Sequence, residues 1–188
     1  GRRGSRATAG RILDPLEVPE VLVAIDDHAR HSIYPRLRPR GTPVVGTVMS
    51  NLGLEQKLQS EGVEFLRAKV GDRYVLAMLK EHGGVLGGET SGHLLCLDRT
   101  TTGDGLVSAL EVLAVMKRTG RPLAELVAGM PKFPQVMINV RVRERIDPSQ
   151  SQVIQDAVRR VEEGLGSTGR VVLRASGTEP VIRVMIEA

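Results

Sequence analysis

Between Gly41 and Gly120 short apolar runs alternate with helix-period segments, and this alternation limits the possible folds more than any other feature of the sequence. PVVGTVMS is a β-branched run of the kind buried in a parallel sheet, and LGLEQKLQSEG after it reads as a helix stopped by Gly62. VEFLRAK is a second strand. In DRYVLAMLKEHGG, Val75, Met78 and Leu79 share a helical face, and Lys80 and His82 lie in the last turn before Gly83, where cations complement the helix dipole. VLGG and HLLCLD read as two more strands. Asp104 is placed to cap the helix DGLVSALEVLAVMKRTG, with Leu106, Ala109, Leu110, Leu113 and Met116 as its expected buried stripe and Gly120 as its stop. Strands alternating with helices predict a three-layer α/β/α domain.

After Gly120 the order changes. PLAELVAGMPKFP reads as a short helix and a proline-punctuated linker; strand (QVMINVRV), helix (PSQSQVIQDAVRRVEEGLG), strand and strand follow. Pro148 suits a helix start, and Ile154, Ala157, Val158, Val161 and Leu165 form one apolar face. The expected organisation is a basic segment over residues 1–40, the α/β domain over 41–126, a linker over 127–134 able to let the last domain swing, and a small α+β C-terminal domain, sheet plus helix, over 135–188. At about 55 residues the last domain is near the size at which a core becomes marginal. A sheet of this kind calls for another covering helix, so a truncated end is expected there.

An apolar fraction of 41% supports a packed core and excludes a disordered chain. The lone Cys96, inside HLLCL, offers neither a disulfide framework nor a zinc spacing, which suits a reducing, cytoplasmic compartment. No apolar stretch approaches the roughly 18–20 residues that span a bilayer, so no membrane partner is expected. Residues 1–40 hold eight Arg against five acidic residues, whereas residues 41–188 hold 18 Lys or Arg against 17 acids. The arginine-rich start superficially resembles an organelle transit peptide, but the chain opens on Gly, and a truncated or processed end is an equal expectation. A basic arm can bind nucleic acid through phosphates. Tyr34 is its one aromatic, no recognition motif follows, and Pro15, Pro19, Pro35 and Pro39 interrupt it. It is read as a solvated segment, with LEVPEVLVAIDDHARH its one structured piece and nucleic acid not expected as a partner.

Three stretches carry chemistry. RASGTEPVIRV sets Ser176, Gly177 and Thr178 between two strands with Arg174 and Arg183 on either side. Hydroxyls and turn N–H groups can form an anion-binding concavity to which arginines add a planar fork, although a glycine hairpin turn with two surface arginines is equally compatible. GGVLGGETSGH is too glycine-rich for a helix, so Glu89 and His93 at i and i+4 are not helical metal ligands. Its carboxylate can accept two hydrogen bonds from neighbouring sugar hydroxyls, or the loop can be a self-satisfied polar turn. Neither serine stretch fits the nucleophile elbow of a hydrolase. AKVGDRYV puts Lys69 at the end of a predicted strand, where ligands gather in α/β sheets, or else Asp72 caps a helix with solvated neighbours.

KVGDRYV, GGETSGH with DRTTTGDG, and RASGTEPVIRV, in that order, resemble the α-D-phosphohexomutase family over about residues 41–188. VGDRYV with TTGDG is more similar to the bacterial branch acting on glucosamine phosphates than to the phosphomanno- and phosphoglucomutases, which stand second. The resemblance implies that Gly88, Glu89 and Ser91 meet the sugar and that Arg174, Ser176, Gly177, Thr178 and Arg183 hold the non-transferring phosphate. His93 and Lys69 would lie at the reacting centre. It implies a reversible exchange of glucosamine 6-phosphate and glucosamine 1-phosphate for cell-wall amino-sugar synthesis, through a phosphoserine, a bisphosphorylated intermediate and Mg²⁺. A phosphorylated hexosamine is the implied partner.

Departures from the family are also legible. Where it has an aspartate-rich magnesium loop DGDGDR, this chain has GRRGSR, keeping Gly4 and Arg6 in register and no carboxylate. Mg²⁺ needs hard oxygen ligands, so no metal ligand is assigned in this chain. The serine-bearing loop has no counterpart either, and the chain alone is expected to show no turnover. A non-catalytic phosphosugar-binding module is the alternative of a different class. The sequence assigns no oligomeric state.

Overall fold

The computed structural model describes residues 42–188; the expectations for residues 1–40, including the basic arm and the GRRGSR stretch, lie outside the described residues. The first described strand, β1 (Val44–Thr47), shows why a sheet buried on both faces forms here. Its side chains alternate between two layers. Val44 joins a cluster with Leu54 and Leu58 of helix α1 (Leu52–Ser60), while Val45 joins Val75 and Leu79 of helix α2 (Asp72–His82) on the other face. Strands β2 (Phe65–Ala68), β3 (Leu86–Gly88) and β4 (Leu94–Cys96) complete a sheet of order β2-β1-β3-β4, with β2 and β3 parallel to β1 and β4 antiparallel to β3. Helix α3 (Gly105–Thr119) and the short α4 (Leu123–Leu126) cover the α1 side through Val115 and Leu126. This is the predicted three-layer domain.

Asp104 caps α3 as expected, its Oδ1 accepting from the N–H groups of Leu106 and Val107 at 2.8 and 3.0 Å, and Gly120 ends the helix at φ 66°. The expected buried stripe is a correction. Of its members Met116 does pack on the core, but Ala109 is exposed and Leu106, Leu110 and Leu113 are 79%, 65% and 57% exposed. The helix turns Ser108, Val112 and Val115 inward beside Met116. The segment is apolar nearly all round, so periodicity offers two candidate faces and does not choose between them.

The second unit is a three-stranded antiparallel sheet, order β5-β7-β6, of β5 (Gln135–Arg141), β6 (Arg170–Ala175) and β7 (Val181–Glu187). Helix α5 (Gln152–Leu165) lies across β6, and a 3₁₀ turn at Pro148–Gln150 precedes it, so the single helix predicted from Pro148 is divided at Ser151. Its apolar face is only partly covered: an apolar groove of about 310 Å³ opens between Val158, Val161, Val171 and Val184. Among the described residues no helix is long and apolar enough to cross a membrane.

Parts of the 127–134 segment contact the first unit. Asn51 Nδ2 donates to the Phe133 carbonyl at 2.9 Å while its Oδ1 accepts from the Phe133 N–H at 3.1 Å and from the Gly53 N–H at 3.0 Å. Val127 and Met130 pack on the first unit's core. Gly53 has no β-carbon because one would overlap the Pro131 carbonyl oxygen.

Candidate functional site

Parallel pairing gathers the carboxyl ends of β1, β2 and β3 at one edge of the sheet, the edge at which ligands bind in open α/β folds. Thr47 is opposite Ala68, so Val48 and Lys69 leave that edge side by side, and Glu89 leaves it from β3. Lys69 and Val48 line an open cleft of about 750 Å³ whose other wall comes from the second unit, with Asp147, Ser149, Arg174 and Gly177. The structure thus brings together Lys69 of the AKVGDRYV stretch with Arg174 and Gly177 of the RASGTEP stretch, which lie about a hundred positions apart in the sequence.

The glycine-framed loop joins β3 to β4. The Glu89 N–H donates to the His93 carbonyl and the Gly92 N–H to the Glu89 carbonyl, both at 3.0 Å, and Gly92 turns at φ 89°, a conformation that favours glycine. Glu89 is braced against α2: its Oε1 accepts from the Gly71 N–H at 2.7 Å. That bond ties the loop to the segment holding Lys69. Gly71, at φ 128°, is the helix N-cap, and Asp72 is the first helical residue, so the expected cap by Asp72 is a correction. His93 Nε2 is sequestered beside Gly103 without a hydrogen-bond partner, 3.9 Å from Asp72 Oδ2. Gly88 is buried within β3, and Ser91 is exposed at the loop tip.

At the other wall, β6 and β7 form a hairpin whose tip is Ser176–Pro180. Ser176 is buried; its N–H donates to the Val181 carbonyl at 2.8 Å and its Oγ accepts from the N–H groups of Thr178 and Glu179 at 3.4 and 3.3 Å. The serine therefore shapes the turn, leaving Gly177 and Thr178 exposed. Arg174 and Arg183 are directly opposed across the two strands. Burial, and behind it the charge of Arg183, holds the Arg174 guanidinium below the ordinary arginine value, and its Nε has no hydrogen-bond partner. Two opposed cations destabilise a strand pair unless an anion joins them.

Sequence reading missed Arg145, whose guanidinium donates to the carbonyls of Ser176 and Gly177 and holds the turn from outside. The signal was the strand-like RVRER after β5: Arg141 pairs with Val181 and the Val142 N–H bonds to the Pro180 carbonyl, so the continuing chain runs along the turn. It also missed the Asp147 turn. The Ser149 hydroxyl and backbone N–H donate to Asp147 Oδ1 at 2.7 and 2.9 Å and hold the carboxyl below the ordinary aspartate value. A depressed folded-state value means that this turn's stabilisation is present above the ordinary aspartate pKa of about 3.9 and is lost as pH falls through the lower one. In a pH titration followed by NMR, the Ser149 amide is expected to hold its position down to about pH 4 and to move below it; a midpoint above that value contradicts the assignment.

Two family models match. Phosphoglucomutase/phosphomannomutase, alpha/beta/alpha domain III covers residues 20–133, and the C-terminal domain of the same family covers residues 137–188. This chain belongs to the phosphoglucomutase/phosphomannomutase family. Within that family it is 61% identical over 145 residues to a phosphoglucosamine mutase of Alkalilimnicola ehrlichii, covering 77% of this chain and 32% of that protein. To one of Acidovorax sp. it is 50% identical over 184 residues, covering 96% and 39%. The chain thus spans about a third of the length of the curated relatives it matches. Aspergillus fumigatus N-acetylphosphoglucosamine mutase, solved with GlcNAc-6P and magnesium, shares the fold at a TM-score of 0.72 and 18% identity, over 93% of this chain and 43% of that one. The expected three-layer domain and the small sheet-plus-helix domain are domains III and IV of the family fold.

Proposed function

We propose that this chain is the sugar- and phosphate-recognising part of a phosphoglucosamine mutase, acting on a phosphorylated hexosamine. The observation that carries the reading is the shared cleft, where Lys69 from one unit and Arg174 and Gly177 from the other face the same space. Relatives named phosphoglucosamine mutase at 50–61% identity favour the glucosamine substrate over the mannose and glucose phosphates. Arg174 and Arg183 supply a fork for a phosphate dianion, and the exposed residues Gly177 and Thr178 belong to the turn that follows Arg174. Lys69 supplies a positive charge at the cleft, and His93, whose Nε2 has no hydrogen-bond partner, stands at the end of the glycine-framed loop.

In the family reaction a phosphoserine passes its phosphoryl group to the free hydroxyl of the sugar phosphate, the bisphosphate turns round, and the other phosphoryl group returns to the serine. The two grips described here suit the turning step, because either phosphate can enter the arginine fork while the other faces the reacting end. Mg²⁺ requires several hard oxygen ligands. Among the described residues no group of three His, Cys, Asp or Glu side chains comes together, and no step is assigned to this ion.

A titration of the full chain with glucosamine 6-phosphate, read on backbone amides, tests the reading. Shifts are expected at Ser176–Thr178 and at Glu89–His93, with inorganic phosphate moving only the first set. A folded chain in which neither loop responds to the sugar phosphate overturns it. Equal responses to mannose 6-phosphate and glucosamine 6-phosphate overturn the glucosamine assignment alone.

A further inference from the structure

Glu187 is the last residue of β7, and its carboxylate is fully buried at the joint between the two units. Its Oε1 accepts from the Leu52 N–H at 2.7 Å, at the positive end of α1, and from Gln135 Nε2 at 3.0 Å. Its Oε2 meets Arg170 Nε at 2.6 Å, and the same guanidinium donates to the Val48 carbonyl at 3.0 Å and the Ser50 carbonyl at 2.6 Å. A second arginine reaches the loop from the first unit: Arg67, neutralised by Glu55 at 2.7 Å, also donates to the Thr47 and Ser50 carbonyls. The loop leaving β1 is therefore held from both sides by guanidinium groups, one from each unit. A buried carboxylate that keeps all these partners at fixed angles tolerates little rotation, since breaking one side leaves a buried charge unpaired.

Register gives this joint a consequence for the cleft. Arg170 pairs with Glu187 at the base of the β6–β7 hairpin, and Ala175 pairs with Ile182 beside its tip. The hairpin is thus a lever clamped at its base and carrying the phosphate turn at its end. Six residues of strand span about 17–20 Å, so a rotation of about 10° at the base moves the tip by about 3 Å, a whole hydrogen-bond length. We infer that Glu187 and Arg170 are positioning residues: their buried pair clamps the base of the hairpin to the β1 loop and so sets the distance between the phosphate turn and the Lys69 side of the cleft. The inference deepens the phosphosugar reading and rests on it for its functional consequence. Neither residue lines the cleft.

The test uses the full chain with Glu187→Gln and Arg170→Met, and Arg170→Lys as the conservative variant. Glutamine keeps an acceptor for Leu52 and loses the charge facing Arg170. A sugar phosphate must engage both walls at once, whereas inorganic phosphate needs only the turn. Affinity for glucosamine 6-phosphate is expected to fall at least about tenfold in Glu187→Gln and Arg170→Met, because two linked contacts lose their matched spacing. Inorganic phosphate binding at Ser176–Thr178 is expected to stay within about twofold, and Arg170→Lys to recover part of the loss. Equal loss of both ligands in a folded variant, or loss of neither, overturns the positioning role. The orientation of the two units, read by residual dipolar couplings without any ligand, is expected to change in Arg170→Met. If the parent chain binds no sugar phosphate the functional reading fails, and an unchanged orientation would then sink the clamp separately.

Discussion

Arg174→Met is expected to lower affinity for glucosamine 6-phosphate by about 10- to 150-fold, the equivalent of the roughly 1.5–3 kcal/mol carried by a hydrogen bond to a charged group. The same substitution is expected to leave the melting temperature unchanged or to raise it. This pairing of outcomes follows from the geometry. Arg174 stands opposite Arg183, its Nε has no partner, and burial together with its neighbour's charge disfavours its protonated form. In the empty cleft it is therefore a source of repulsion, which methionine removes while keeping much of the side-chain length. With a phosphate present the same two cations become a fork. Isothermal titration and thermal unfolding of the one variant decide the matter: lost affinity together with lost stability indicates a structural arginine, and unchanged affinity removes it from the site.

How much of this was legible beforehand depends on the range of the interaction concerned. Val44 and Val45 could be read as strand residues facing two layers because alternation is local, and Asp104 and Gly120 announced their helix ends by residue type. The three motif stretches could be placed on loops at strand ends for the same reason. The clamp could not be read. Glu187 looks like the polar end of a strand until the fold brings Leu52 and Arg170 to it, 135 and 17 positions away in sequence. Asn51 caps α1, but its hold on Phe133 depends on a segment 82 residues later. Such contacts set the orientation of the two units, and no local pattern encodes them.

The α3 stripe marks the other boundary of sequence reading, and Leu79→Ala beside Leu106→Ala measures it. Both leucines occupy helices rich in apolar residues. Leu79 has no exposed surface, however, whereas Leu106 is 79% exposed. Leu79 also lies against two glycines: a β-carbon on Gly84 would come within 2.6 Å of its Cδ2, and one on Gly87 within 3.0 Å of its Cδ1. Removing the leucine therefore opens space partly against bare backbone at Gly84 and Gly87, from which no side chain can fill it. The cost is expected toward the upper part of the roughly 2–5 kcal/mol range for such truncations, with the melting temperature falling by about 2–4 °C per kcal/mol. Leu106→Ala is expected to stay within about 0.5 kcal/mol of the parent. The loss at Leu79 also reaches the site, because Gly87 belongs to the strand that delivers Glu89 to Gly71. Amide exchange at Gly71 is therefore expected to speed up in Leu79→Ala and to remain as in the parent in Leu106→Ala. If both variants lose stability equally, α3 is packed through its leucine face after all, and the assignment of its inner side to Ser108, Val112 and Val115 is wrong.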